Sequence, residues 1–423
     1  MLLAMLSSAS VAIIYGKPTR QAAWPHAMLR QPPLSLHAMP HSKPLSWDIF
    51  CTVIDNYGDI GVAWRLARRL AHDFDHAVRL WVDDLASFAR IAPLLDPASS
   101  RQELDGITIC QWQPHATFTD YHPAQVVIEA FGCRLPDAVE LAMAKAAVTP
   151  VWINLEYLSA EDWVEGCHGM ASPHPRLPLT KYFFFPGFTD HTGGLLCEDK
   201  LIDTRLRWQQ DSLAQRAFWQ MFDIPEKQPE EWRVSLFAYE NPAARELLAY
   251  WTESPMPVHC MVPEGKILAD VEAVLGQPLG AGQHINRGAL TVHVLPMTDQ
   301  DSYDLTLWSC DINFVRGEDS FVRAQWAGRP FIWHIYPQED AAHTVKLDAF
   351  LSHYCRGIDL ETASALQAAS HAWNHGQGML PAWQALEKHL PQWHQHSRSW
   401  PDKLLHTGDL GMRLVQFIQN RLK

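Results

Sequence analysis

The chain alternates between two hydrophobic periods. Residues 47–54 are mostly apolar, as in a strand buried on both faces, and Val62, Ala63, Leu66, Ala67 and Leu70 then follow a helical period. Apolar runs recur at 77–82, 107–111, 125–131 and 150–155, and the mixed stretches at 85–95 and 136–147 predict helices between them. Such strands alternating with helices predict a parallel sheet covered on both faces. Residues 168–200 are rich in Pro, Gly and aromatics and predict a long functional loop region closing the first domain.

After a helix-bearing linker at 201–228, the alternation restarts. Strands are predicted at 232–239, 258–262, 290–295, 312–315 and 331–335, with helices at 242–250, 302–309 and 320–327. Three more helices follow near 340–354, 361–376 and 382–392. The segment 401–423 predicts an amphipathic terminal helix with Leu410, Leu414, Phe417 and Ile418 on one face. The fold class is therefore α/β: two Rossmann-like, doubly wound domains, 47–200 and 229–400, with a cleft where the carboxyl ends of both sheets meet.

Composition narrows the classes. The chain has 423 residues, enough for two domains, and its 47% hydrophobic and 19% charged content is that of a soluble globular protein. A formal charge of −13 argues against a nucleic-acid partner, which needs a basic face. The eight cysteines form no C-x-x-C pair and read as reduced thiols of a cytoplasmic protein. The 22 histidines show no ligand spacing, so no metal is expected. Residues 1–46 hold six prolines, four basic residues and no acid. They read as a disordered extension or an upstream-start segment, with the start nearer Met39. Their apolar stretch lacks the basic flank and cleavage site of a secretory signal and is too short to span a bilayer.

The candidate chemistry lies in two strand–turn–helix units. The turn after the first strand carries Asp55 and Asp59 with Gly58 and Gly61. It is not G-x-G-x-x-G, and two acids would repel a pyrophosphate, so this loop faces an acceptor; Asn56, Tyr57 and Gly58 within it are substrate-binding candidates. The second unit, 314–330, contains Arg316, Glu318, Asp319 and Ser320, with Asp319 or Ser320 as the expected N-cap. It is either a helix cap with a surface ion pair or an anion site, in which free N–H groups and Arg316 meet a phosphate and Glu318 accepts from a sugar hydroxyl. Phe237 and Tyr239 end a strand and either stack on a base or close the core. Gln300 and Tyr303 are expected in the turn after strand 291–295. Asp83 and Asp84 read as a solvated loop, not as a metal-binding D-x-D.

Three runs carry a family resemblance: W-D-I-F-C-T-V-I-D-N-Y-G-D-I-G-V-A-W-R-L-A-R, S-L-F-A-Y-E, and F-V-R-G-E-D-S-F-V-R-A-Q-W-A-G-R-P-F-I-W-H-I-Y-P-Q. Over about residues 46–423 the chain resembles the bacterial protein-arginine rhamnosyltransferases that modify translation elongation factor P. The resemblance implies a GT-B glycosyltransferase fold, the donor dTDP-β-L-rhamnose, no cofactor, and inverting transfer to an arginine of that factor. It implies Asp59 as general base, Asp55 as its companion and Glu318 as an essential acid on the donor side. Asp319 and Ser320 match the diphosphate turn, Phe237 and Tyr239 the nucleotide pocket, and Gln300 a base contact.

Other classes fit less well. The nearest is a GT-B enzyme using another nucleotide sugar and a small-molecule or lipid acceptor. A lipid-using enzyme calls for an apolar or basic membrane face, and an acidic chain offers none. A dinucleotide oxidoreductase calls for the missing G-x-G-x-x-G. A non-catalytic sugar-nucleotide binder has no need of Asp55, Asp59 and Glu318 together.

Overall fold

The computed structural model describes residues 43–54, 57–113, 118–337 and 342–422. The proposed extension therefore lies almost wholly outside the described residues, as do Asp55 and Asn56. The first half runs β1 (Ser46–Cys51), α1 (Gly58–His72), β2 (Ala77–Val82), α2 (Leu85–Ile91), β3 (Arg101–Leu104), β4 (Ile107–Gln111), β5 (Val126–Ala130), α3 (Asp137–Lys145), β6 (Val151–Leu155), α4 (Trp163–Cys167), β7 (Ala171–Pro173) and β8 (Thr180–Phe184). Helices α5 (Leu201–Gln210) and α6 (Ser212–Gln220) connect the halves. The second half runs β9 (Trp232–Leu236), α7 (Ala243–Thr252), β10 (Val258–Pro263), α8 (Leu268–Leu275), β11 (His284–Arg287), β12 (Leu290–Leu295), α9 (Gln300–Ser309), β13 (Ile312–Arg316), α10 (Asp319–Ala327) and β14 (Phe331–His334). Five helices close the chain: α11 (Ala342–Tyr354), α12 (Leu360–His375), α13 (Met379–Glu387), α14 (Leu390–Thr407) and α15 (Leu410–Gln419).

Both sheets are doubly wound. The first has the order β3-β4-β2-β1-β5-β6-β8-β7 and the second β11-β12-β10-β9-β13-β14, so the first strand of each half is central. All pairs are parallel except those of the edge strands β3, β7 and β11. The central position of β1 explains its apolar run. Trp47, Ile49 and Cys51 enter one core with α1, and Phe50 enters the other with Trp112, Val127 and Trp152. Asp48 is buried among them. It accepts from Arg79 at 2.6 and 2.7 Å, Trp81 Nε1 at 2.9 Å, Tyr121 Oη at 2.8 Å and the Ala124 N–H at 2.9 Å, partners enough for a buried charge.

Several expectations are corrected. Residues 168–200 are not a continuous loop, because β7 and β8 extend the first sheet there. The third helix of the terminal group is two helices, α13 and α14. Gln300 and Tyr303 lie in the first turn of α9 rather than in the preceding turn. Asp83 and Asp84 are not a solvated loop: Asp83 accepts from the Val53 N–H at 2.9 Å, and Asp84 caps α2 through the Ser87 N–H at 3.0 Å. Leu410, Leu414 and Ile418 of α15 are buried in the core of the first sheet, with Phe417 partly buried beside them, so α15 packs back on the first half.

Among the described residues no helix is long and apolar enough to cross a membrane. No group of three or more His, Cys, Asp or Glu side chains there is placed to hold a metal ion.

Candidate active site

The carboxyl ends of the two central strands face each other across a cleft. On the first wall, Asp59 occupies the first turn of α1, where the helix dipole favours a carboxylate. It is only 2% exposed. Its Oδ2 accepts from the Ile54 N–H at 2.8 Å and its Oδ1 from the Tyr157 hydroxyl at 2.9 Å.

On the second wall, α10 begins at Asp319 with Glu318 at the cap position and no side-chain cap. The expected capping by Asp319 or Ser320 is thus corrected. The Ser320 hydroxyl folds back instead, accepting from the Arg316 N–H at 3.0 Å and donating to the Arg316 carbonyl. Gly317 takes φ +59°, a left-handed conformation that a side chain would strain, and this lets the strand turn sharply into the helix. With no side-chain cap, the first-turn N–H groups of α10 suit an anion.

Between the walls lies a pocket enclosing about 720 Å³ of space, part of it open solvent. Tyr57 and Gly58 line it from the first half; Phe237, Gln300, Tyr303, Arg316, Asp319 and Ser320 line it from the second. Gln300 Oε1 and Arg316 Nη1 are buried here without hydrogen-bond partners. Orphaned polar atoms in an otherwise apolar pocket indicate a polar ligand, since leaving them bare costs about 1–3 kcal/mol each. The Arg316 guanidinium sits 4.6 Å from the Phe237 ring centre and 4.7 Å from that of Tyr239. Only Phe237 reaches the pocket. Tyr239 stands behind Arg316 against His334 and Tyr336.

Asp319 and Gln300 also work between the halves. The buried Arg65 of α1 donates from Nε to Asp319 Oδ1 at 2.8 Å and from Nη1 and Nη2 to Asp304 of α9 at 3.0 and 3.1 Å. Arg323 of α10 donates to the same Asp304 at 3.0 and 2.6 Å and to Glu198 at 2.6 Å. The Gln300 amide donates to the Gly61 carbonyl at 3.0 Å and to Asp319 Oδ2 at 3.1 Å. A Cβ at Gly61 would lie 3.1 Å from both Asp319 Cβ and Gln300 Nε2, so glycine permits this close approach.

The two walls meet at Glu318. Its Oε2 accepts from the Leu158 N–H of the first half at 3.1 Å. Burial pushes its carboxyl up to about 8, and the charge of Asp59 adds to the rise; the Leu158 N–H and Lys346 act the other way. Glu318 is thus largely protonated near neutrality until a cation arrives, and a guanidinium would restore its charge.

Nearly all the sequence candidates converge: Asp59, Tyr57 and Gly58 from one half face Glu318, Asp319, Ser320, Arg316, Phe237, Gln300 and Tyr303 from the other. Tyr239 supports from behind, and Asp55 and Asn56 lie outside the described residues. Sequence reasoning missed Tyr157 and Leu158, which touch the two acids, and Arg65 and Asp304, which join the halves. Arg65 lies inside the R-L-A-R run, but nothing local gives Tyr157 its partner.

Comparisons with known proteins accord with this geometry. The family Elongation-Factor P (EF-P) rhamnosyltransferase EarP matches residues 47–419. The protein-arginine rhamnosyltransferase of Pseudomonas putida is 49% identical over 378 residues, covering 89% of this chain and 99% of its own length. That of Neisseria meningitidis serogroup B is 34% identical over 394 residues, covering 90% of this chain and 99% of its own. A solved structure from work on EarP-mediated arginine glycosylation of translation elongation factor EF-P is similar with a TM-score of 0.63 and 37% identity, covering 89% of this chain and 99% of that one. A UDP-GlcNAc 2-epimerase from Neisseria meningitidis, at 10% identity and a TM-score of 0.50, shares the fold alone. Two doubly wound domains around such a cleft are the GT-B glycosyltransferase fold, and the chain belongs to the EarP family of protein-arginine rhamnosyltransferases.

Proposed function

We propose that this enzyme moves L-rhamnose from dTDP-β-L-rhamnose to one arginine of translation elongation factor P, inverting the anomeric carbon. The observation that carries this reading is the meeting of Asp59 and Glu318 from opposite walls beside a pocket with unpartnered polar atoms. The thymine lies against Phe237 within reach of Gln300 and Tyr303, and the diphosphate meets Arg316 and the open first turn of α10. The acceptor is a translation factor, so the reaction is assigned to the cytoplasm.

An arginine side chain is a weak nucleophile, protonated far above neutral pH and with delocalised lone pairs. Carboxylates can hold its fork by charge-assisted hydrogen bonds and polarise one nitrogen. Asp59, with Asp55 as its companion, takes the proton as the C–N bond forms. Glu318 binds from the donor side, where the arriving guanidinium draws out its charge. Nitrogen approaches the face opposite the diphosphate, through an oxocarbenium-like state. Charge gathering on the leaving diphosphate is met by Arg316 and the helix start. These donors stand in for a divalent ion, so calorimetry with dTDP in chelator should give the affinity seen in added Mg²⁺.

The test is intact-mass and peptide mass spectrometry of purified elongation factor P incubated with this enzyme and dTDP-rhamnose. One deoxyhexose on one arginine is expected. An unmodified factor, with the donor consumed on a small molecule instead, would favour a different acceptor.

A further inference from the structure

Tyr157 belongs to none of the motifs and yet stands between the walls. It follows β6 at the carboxyl edge of the first sheet. Its hydroxyl donates to Asp59 Oδ1 at 2.9 Å, and the N–H of the next residue, Leu158, donates to Glu318 Oε2 at 3.1 Å. Its ring lies on Phe131, with centroids 4.8 Å apart and planes 26° from parallel.

The support beneath that ring is itself unusual. Phe131 has φ +56° and Gly132 φ +64°. Left-handed backbone is uncommon for a residue with a side chain and marks a position fixed by its surroundings. Here the Phe131 N–H bonds the Leu155 carbonyl at 2.7 Å, tying the end of β5 to the end of β6. The ring is thus set from below and its hydroxyl is aimed at Asp59.

We propose that Tyr157 is the positioning residue that orients the Asp59 carboxylate toward the acceptor nitrogen. Through Leu158 the same short segment ties that orientation to Glu318 of the second half. The inference rests on the reading of Asp59 as the base.

The physical argument is one of fixed geometry. A carboxylate held at one oxygen still rotates. Asp59 is held at both, by the Ile54 N–H on Oδ2 and by the Tyr157 hydroxyl on Oδ1. A carboxylate oxygen can accept more than one hydrogen bond, so these donors do not by themselves bar a guanidinium. Burial and the charge of Asp59 raise the Tyr157 phenol well above its ordinary range, so it stays a donor. Tyr157 is 36% exposed, so its ring is not shut inside the core. The competing explanation is that the ring only packs on Phe131, and phenylalanine would serve that role equally well.

The test compares Tyr157→Phe, Tyr157→Ala and Asp59→Asn with the parent, in steady-state transfer from dTDP-rhamnose to elongation factor P and in dTDP calorimetry. Tyr157→Phe should lower kcat by about 10–100-fold, the worth of a hydrogen bond to a charged group. Its KM values and dTDP affinity should stay within about twofold, since only the orientation of the reacting group changes. Tyr157→Ala should lose at least as much kcat. Parent-like kcat in Tyr157→Phe alongside an inactive Asp59→Asn would overturn the inference and leave the ring as packing. A dTDP affinity falling as far as kcat would overturn it too, placing Tyr157 on the donor. An active Asp59→Asn would overturn the base reading itself, a result separable from the other two.

Discussion

The two walls of the cleft are built alike and finished differently. Each is an inner strand that turns into a helix at the carboxyl edge of a parallel sheet. On the second wall, polar groups are left waiting: Arg316 Nη1 and Gln300 Oε1 are buried without partners, and α10 has no side-chain cap. On the first wall, Asp59 is already held at both oxygens by its own chain. A diphosphate brings charge and many acceptors, so its site can stand open as a ready set of donors. A base must hold one orientation before its substrate arrives, and a braced Asp59 suits the role proposed for it.

This contrast predicts a separation of effects, largest on the first wall. Asp59→Asn should lower transfer by about 10²–10⁴-fold, the usual worth of a general base, with dTDP affinity unchanged within a few-fold. Rate assays and calorimetry on one preparation check both halves of that statement. The seam between the walls comes next. Arg65→Ala leaves Asp304 and Asp319 without their shared partner and should destabilise the chain by about 3–5 kcal/mol in denaturant unfolding, because half a buried ion network is worse than none.

The second wall should give smaller effects, and graded ones. Phe237→Ala should weaken dTDP binding by about 1–3 kcal/mol, the range for aromatic–base stacking. Tyr239→Ala should cost less, since that ring lies behind Arg316 and outside the pocket. Equal losses would show that both rings meet the base. A pH-dependent effect concerns Glu318, raised to about 8 from the ordinary 4.5. Between these values the unfolded chain is ionised at this position and the folded chain is not. Folding stability is therefore lost as pH rises through this window. Glu318→Gln removes the loss, so its melting temperature relative to the parent should climb from about pH 5 to about pH 8.

The sequence shows the central strands plainly and the edges poorly. β1, β5 and β6 are buried on both faces, β2 and β4 less completely, and all read as apolar runs. The missed strands β3, β7 and β11 are edges of three or four residues with exposed positions, where burial imposes little pattern. β8 was hidden by prolines on its flank, at 173, 175, 178 and 186, which signal turns more strongly than five residues signal a strand. In the site, Asp59, Glu318 and Arg316 are legible because each sits in a strand–turn–helix unit whose chemistry is local. Tyr157 is not, because its partner is set by where β6 lies relative to β1, two strands away across β5. Gln300 and Asp319 are legible as pocket residues, but their bonds to Gly61 and Arg65 depend on how the halves meet.

The division of labour between the walls is tested most directly by a crystal structure with dTDP bound. The expected result is thymine against Phe237 and diphosphate on the first turn of α10 beside Arg316, with the Asp59 loop left free for the acceptor. A diphosphate seated on the Asp59 loop would contradict it.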